Sequence, residues 1–122
     1  MKLFLIIGVI NGFLAVALGA FGTHGLEGKL SEKAIKTWEK AVTYQMFHTM
    51  AILVTGLLLN KFQTPSFVIA GWFFVVGIIL FSGSLYIYAP TGIKTFAMIT
   101  PLGGLAFLIG WVLLGYAIIK FI

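Results

Sequence analysis

Residues 62–93 read FQTPSFVIAGWFFVVGIILFSGSLYIYAPTGI, and none of them carries a formal charge. Roughly 20 apolar helical residues cross a bilayer core, so this stretch can span a membrane and still supply its own ends. Thr64 before Pro65 is an N-cap followed by proline at the first helical position, and Pro90 is read as the stop. The segment is therefore expected to be a helix over about 65–89. Outward from it lie three more uncharged stretches, Leu3–Leu26, Ala41–Asn60 and Thr95–Ile119. The prediction is an all-α fold: a polytopic membrane protein with one integral membrane domain over 1–122, built as a four-transmembrane-helix bundle. Its helices are placed at about 3–22, 32–60, 65–89 and 95–120. The last either kinks at Pro101 or starts at Thr100; a kink is favoured because an irregular backbone facing lipid would leave its polar groups unpaired.

Composition points the same way. Hydrophobic residues make up 61% of the chain and charged residues 9%, against about 25% charged in ordinary soluble domains. Eight basic residues, all Lys, face three Glu, for a net charge of +5. The lysines sit mostly at the ends of the apolar runs. That distribution suits interfacial anchoring and attraction to anionic lipid, not a nucleic-acid-binding face. The absence of cysteine excludes disulfides and thiolate metal sites. Lys2 and the Ala15-Val16-Ala17 triplet imitate a signal peptide, but the apolar run continues beyond them, so a retained first helix is expected.

Gly8, Gly12, Ala15, Gly19 and Gly22 recur every three or four residues and so share one helix face. Gly103 and Gly110 form a similar face with Ala106 and Ala117. Lipid offers little hydrophobic drive for helices to associate, so small residues that let backbones approach are read as helix-packing positions. Gly22 to Leu26, with two glycines around His24, is expected to end the first helix in a turn. Ser31 then reads as an N-cap, with Glu32 in the first turn. The segment to Lys40 is amphipathic and precedes helix 2 as an extension. The first and third connections carry Lys29, Lys33, Lys36, Lys40 and Lys94; the other side carries Lys2, Lys61 and Lys120. The positive-inside rule then puts both termini outside.

Chemistry has few places to reside. Tyr44, Gln45 and His48 lie in the embedded part of helix 2, and an ionisable residue within a membrane helix is a functional candidate. The competing reading is a neutral His hydrogen-bonded between helices. Asn11, His24, Ser82 and Ser84 complete the candidate polar site. A metal or haem held by His24 and His48 is disfavoured. The two lie at different depths, and every Glu falls within Glu27–Glu39, outside the apolar runs. No metal, cofactor or catalytic residue is assigned. Phosphate-loop, dinucleotide and hydrolase motifs are missing, so an enzyme is not expected.

Four segments carry a resemblance: Gly19-Ala20-Phe21-Gly22-Thr23-His24-Gly25-Leu26; Trp38-x-x-Ala41-x-x-Tyr44-Gln45-x-x-His48; Leu80-Phe81-Ser82-Gly83-Ser84-Leu85-Tyr86; and Thr100-Pro101-Leu102-Gly103-Gly104 with Gly110-Trp111. They occur in order along most of the chain. The protein resembles the YwdK/YgdD-like family of small four-helix bacterial membrane proteins of unknown function. The resemblance implies a multi-pass protein of the bacterial inner (plasma) membrane and transfers no catalytic residues. The expected function is a non-catalytic membrane component that binds membrane lipid or a partner membrane protein and forms a homo-oligomer. The alternative is a small carrier for a neutral or weakly coupled solute, with a polar cavity near His48.

Overall fold

The computed structural model describes residues 2–122. Four helical spans run in sequence: α1 Leu3–Leu26, α2 Glu32–Phe62, α3 Pro65–Thr91 and α4 Lys94–Phe121, each long and apolar enough to cross a membrane. The fold is all-α, as the uncharged stretches predict. α2 and α3 form the centre of the bundle; α1 packs mainly on α2, and α4 mainly on α3. The core gathers Phe4, Ile52, Phe67, Phe74, Phe107 and Leu114. Large apolar side chains such as Phe13, Phe21, Leu108 and Val112 face outward, where lipid replaces water as the solvent.

Local chemistry fixes most ends. The Ala34 N–H donates to Ser31 Oγ at 3.1 Å, capping α2. Thr64 caps α3 with Pro65 behind it. α2 ends on Gln63 in the left-handed region, at φ 37°.

Two expected ends move, and a third stays where it was expected. The first helix does not stop at Gly22: it continues to Leu26, and the left-handed glycine is Gly28, at φ +80°. Two glycines did not break it because both remain in the right-handed helical region. Helix 3 passes Pro90 and closes at Thr91, with Gly92 at φ +69° returning its N–H to the Tyr88 carbonyl. A proline in the last turn costs only the bond to the carbonyl four residues back. α4 starts at Lys94 and carries Pro101 inside it, the favoured one of the two expected arrangements.

Two helices carry a turn of wider π type, at Leu18–Gly22 in α1 and Ile78–Gly83 in α3. Such bulges leave a carbonyl without its usual partner. The Trp38 indole N–H donates to the Leu18 carbonyl at 2.9 Å and so occupies one such place. An added Cβ at Gly22 would stand 2.8 Å from the Trp38 ring, so the glycine makes room for the indole.

The glycine faces are unequal. A Cβ on Gly103 would run into the backbone of Leu80 and Phe81. At Gly110 it would meet Phe74 at 2.8 Å and at Gly19 Val42 at 3.0 Å, and at Gly8 it would run into the Leu53 side chain. At Gly12 the nearest atom is Thr49 Cγ2 at 3.7 Å, an ordinary contact.

Candidate functional site

Embedded polar atoms need partners, because lipid supplies none. In this bundle they find one another, in three groups. Asn11 of α1, Gln45 of α2 and Tyr86 of α3 form a chain across three helices. The Tyr86 hydroxyl donates to Gln45 Oε1 at 2.6 Å, Gln45 Nε2 donates to Asn11 Oδ1 at 3.0 Å, and Asn11 Nδ2 donates to the Ile7 carbonyl at 3.0 Å. Trp38 closes the loop-side end of this chain, its ring edge-on to Tyr86 at 4.7 Å.

The second group is His48 with Trp111 of α4. The indole N–H donates to His48 Nε2 at 3.0 Å, and His48 Nδ1 lies 2.8 Å from the Tyr44 carbonyl. An indole can only donate, so Nε2 accepts and Nδ1 carries the hydrogen given to Tyr44; the tautomer is assigned from these partners. This is the arrangement of a neutral ring. Phe107 stacks on the imidazole at 3.5 Å between centroids, and Phe47 and Phe74 stand around it.

The third group joins α3 to its neighbours. Ser82 Oγ donates to the Ala41 carbonyl of α2 at 2.7 Å, and Ser84 shares a hydrogen with Thr100 of α4 at 2.6 Å. Among the described residues, no buried side-chain nitrogen or oxygen lacks a partner.

The expected site residues therefore divide. Asn11 and Gln45 meet directly; His48 turns to α4 instead; Ser82 and Ser84 serve separate helix contacts. His24 stands apart from all of them, exposed, with Nδ1 3.8 Å from a Glu27 carboxylate oxygen. Tyr44 contributes its backbone carbonyl to His48, while its ring lies on Phe81 at 4.4 Å. Tyr86 and Trp111 complete the two groups without having been picked out as site residues. The available signal was chemical: a Tyr hydroxyl or Trp N–H within an apolar run usually has a partner. Among the described residues no three His or Glu side chains gather, and both His48 nitrogens are engaged.

Beside the second group a groove of about 640 Å³ opens between α2 and α4. Tyr44, Phe47 and His48 form one wall, Pro101, Leu105, Leu108 and Trp111 the other, and Phe81 lies at its floor. Gly104 of α4 also lines it and adds no side chain.

Fold and site together define a four-helix membrane bundle whose buried polar side chains, among the described residues, are paired within the protein. The chain belongs to the family described as "Protein of unknown function (DUF423)", which matches residues 18–104. It is 50% identical to "UPF0382 membrane protein SAB0533" of Staphylococcus aureus, covering 99% of this chain and 98% of that one. It is 47% identical to "UPF0382 membrane protein YwdK" of Bacillus subtilis over the full length of both. These relatives agree with the resemblance carried by the four motif segments. No solved structure matches the chain.

Proposed function

We propose that the protein is a non-catalytic membrane component that acts by binding lipid at its membrane-facing surface. The observation behind this reading is that the buried polar side chains, among the described residues, all have partners within the protein. A carrier would need such groups turned toward a solute. An enzyme would need a nucleophile or carboxylate beside His48, where Phe47, Phe74, Phe107 and Trp111 stand. What remains open to a ligand is the apolar exterior, with lysines at its edges.

The test is reconstitution into vesicles. Swelling rates in glycerol and urea should equal those of protein-free vesicles, and protein exchanged through delipidating detergent should retain bound phospholipid by native mass spectrometry. Solute flux above the protein-free rate would favour the carrier. Retention of a second polypeptide in place of lipid would favour a partner-binding role.

A further inference from the structure

We propose that the groove between α2 and α4 seats one acyl chain of an anionic phospholipid, whose phosphate is held at the mouth by Lys40, Tyr44 and Lys94. The proposal rests on the lipid-binding reading above and gives it a site and a ligand class. Three observations carry it.

The first is length and depth. The groove begins at Tyr44 and Pro101, twelve residues into α2 and seven into α4, and reaches Trp111. Ten residues of α4 separate Pro101 from Trp111, about 15 Å at roughly 1.5 Å per residue. That is half of a hydrocarbon core of about 30 Å. The groove thus lies along the middle of α4, its upper end about 10 Å below Lys94 at roughly 1.5 Å per residue, on the path of an acyl chain that descends from a headgroup beside that lysine.

The second is lining. Its volume of about 640 Å³ falls in the usual range for ligand sites, about 300–1,000 Å³. Its walls are aromatic and aliphatic, and the imidazole within them has both nitrogens engaged. Hydrocarbon fits such a wall.

The third is charge at the mouth. Lys40 lies four residues before Tyr44 on α2, one turn above it on the same face, and Lys94 lies two turns above Pro101 on α4. Neither ammonium pairs with a carboxylate among the described residues, where the ion pairs are His24–Glu27 and Glu32–Lys36. Glu39 borders a separate depression with Gly19 and Thr23, on the α1 side. The Tyr44 hydroxyl is likewise without a protein partner among the described residues, and it lies one turn below Lys40. Two cations and a hydroxyl above an apolar slot match a phosphate followed by a chain.

The experiment uses the full chain, purified with equimolar phosphatidylglycerol and phosphatidylethanolamine and read by native mass spectrometry. The unsubstituted protein should retain one phosphatidylglycerol per protomer. Gly104→Leu should abolish that retention, because its Cβ meets only the Phe81 ring at 3.9 Å and the rest of the side chain enters the groove. Lys40→Gln with Lys94→Gln should lower the preference for phosphatidylglycerol at least about tenfold, near 1.4 kcal/mol. Leu108→Trp, on an exposed position, is a second block should Gly104→Leu unfold. Helix content by circular dichroism verifies folding of each variant. Retention unchanged in folded, groove-blocked protein would overturn this site while leaving lipid binding elsewhere. If the unsubstituted protein retains no lipid, the function proposed above fails with it. A photo-crosslinker at Leu105 that captures a second polypeptide instead of lipid would also overturn the assignment.

Discussion

At the scale of single residues, Gln45 joins α1 to α3 through the two ends of one amide. Replacing it with Leu removes both bonds and strands Asn11 Oδ1 and the Tyr86 hydroxyl. A buried orphan group costs about 1–3 kcal/mol in water-soluble proteins. Interhelical bonds in membranes average about 0.6 kcal/mol and reach about 1.7. The membrane scale applies here, so Gln45→Leu should destabilise the protein by about 1–2 kcal/mol in reversible unfolding from mixed micelles. Tyr86→Phe alone should cost less, since the amide oxygen can accept elsewhere. The double variant should fall short of the sum of the singles, because the two share one bond. Full additivity would mean that the Tyr86–Gln45 bond contributes nothing. How far these partners could be read in advance depends on the residue. Gln45 and His48 stand out as polar positions in an apolar helix. Trp111 is 63 positions from His48, and nothing local in its own segment points to that imidazole.

Among the elements, adjacent glycines of α4 have opposite duties. Gly103 lies against the backbone of α3 at Leu80 and Phe81, which a methyl group cannot push aside. Gly103→Ala should therefore cost about 2–3 kcal/mol by overpacking. Gly104→Ala should be neutral or slightly stabilising, since its methyl meets Phe81 at ordinary distance and alanine favours helix. Thermal unfolding of the two variants in one detergent checks the contrast, and equal losses would refute it. The π turn in α1 makes a second prediction. Trp38→Phe keeps an aromatic ring beside Tyr86 but removes the N–H from the Leu18 carbonyl. The expected loss is about 1 kcal/mol, with faster amide exchange confined to Leu18–Gly22. Uniform exchange along α1 would show that the indole does not hold that turn. Sequence spacing placed Gly8, Gly12 and Gly19 on one face, but only the setting of α2 against α1 decided that Gly8 is tight and Gly12 is not.

For the whole molecule, orientation connects the fold to the proposed lipid site. Lys29 with the start of α2, which carries Lys33, Lys36 and Lys40, lies on one side with Lys94 at the start of α4, and the positive-inside rule assigns that side to the cytoplasm. The groove mouth would then face the inner leaflet, where anionic lipid attracts basic groups. Because the chain has no cysteine, single substitutions report without background. In intact cells an impermeant maleimide should label Lys61→Cys, while Lys29→Cys should react only after permeabilisation. The reverse pattern would invert the protein and move the groove to the outer leaflet.

The sequence by itself determined that this is a four-helix membrane protein, where its helices lie to within a few residues, and how α2 and α3 are capped at Ser31 and Thr64. Those features follow from short-range physics: the length of uncharged runs and the bonds a hydroxyl can make to the next turn. Only the tertiary structure decided that Asn11, Gln45 and Tyr86 form one chain, that His48 faces Trp111, that His24 joins neither, and that α2 and α4 part to leave a groove. Each depends on how a helix is rotated and tilted against its neighbour. An angle of that kind is set by the packing of the whole bundle, not by any single segment of the chain.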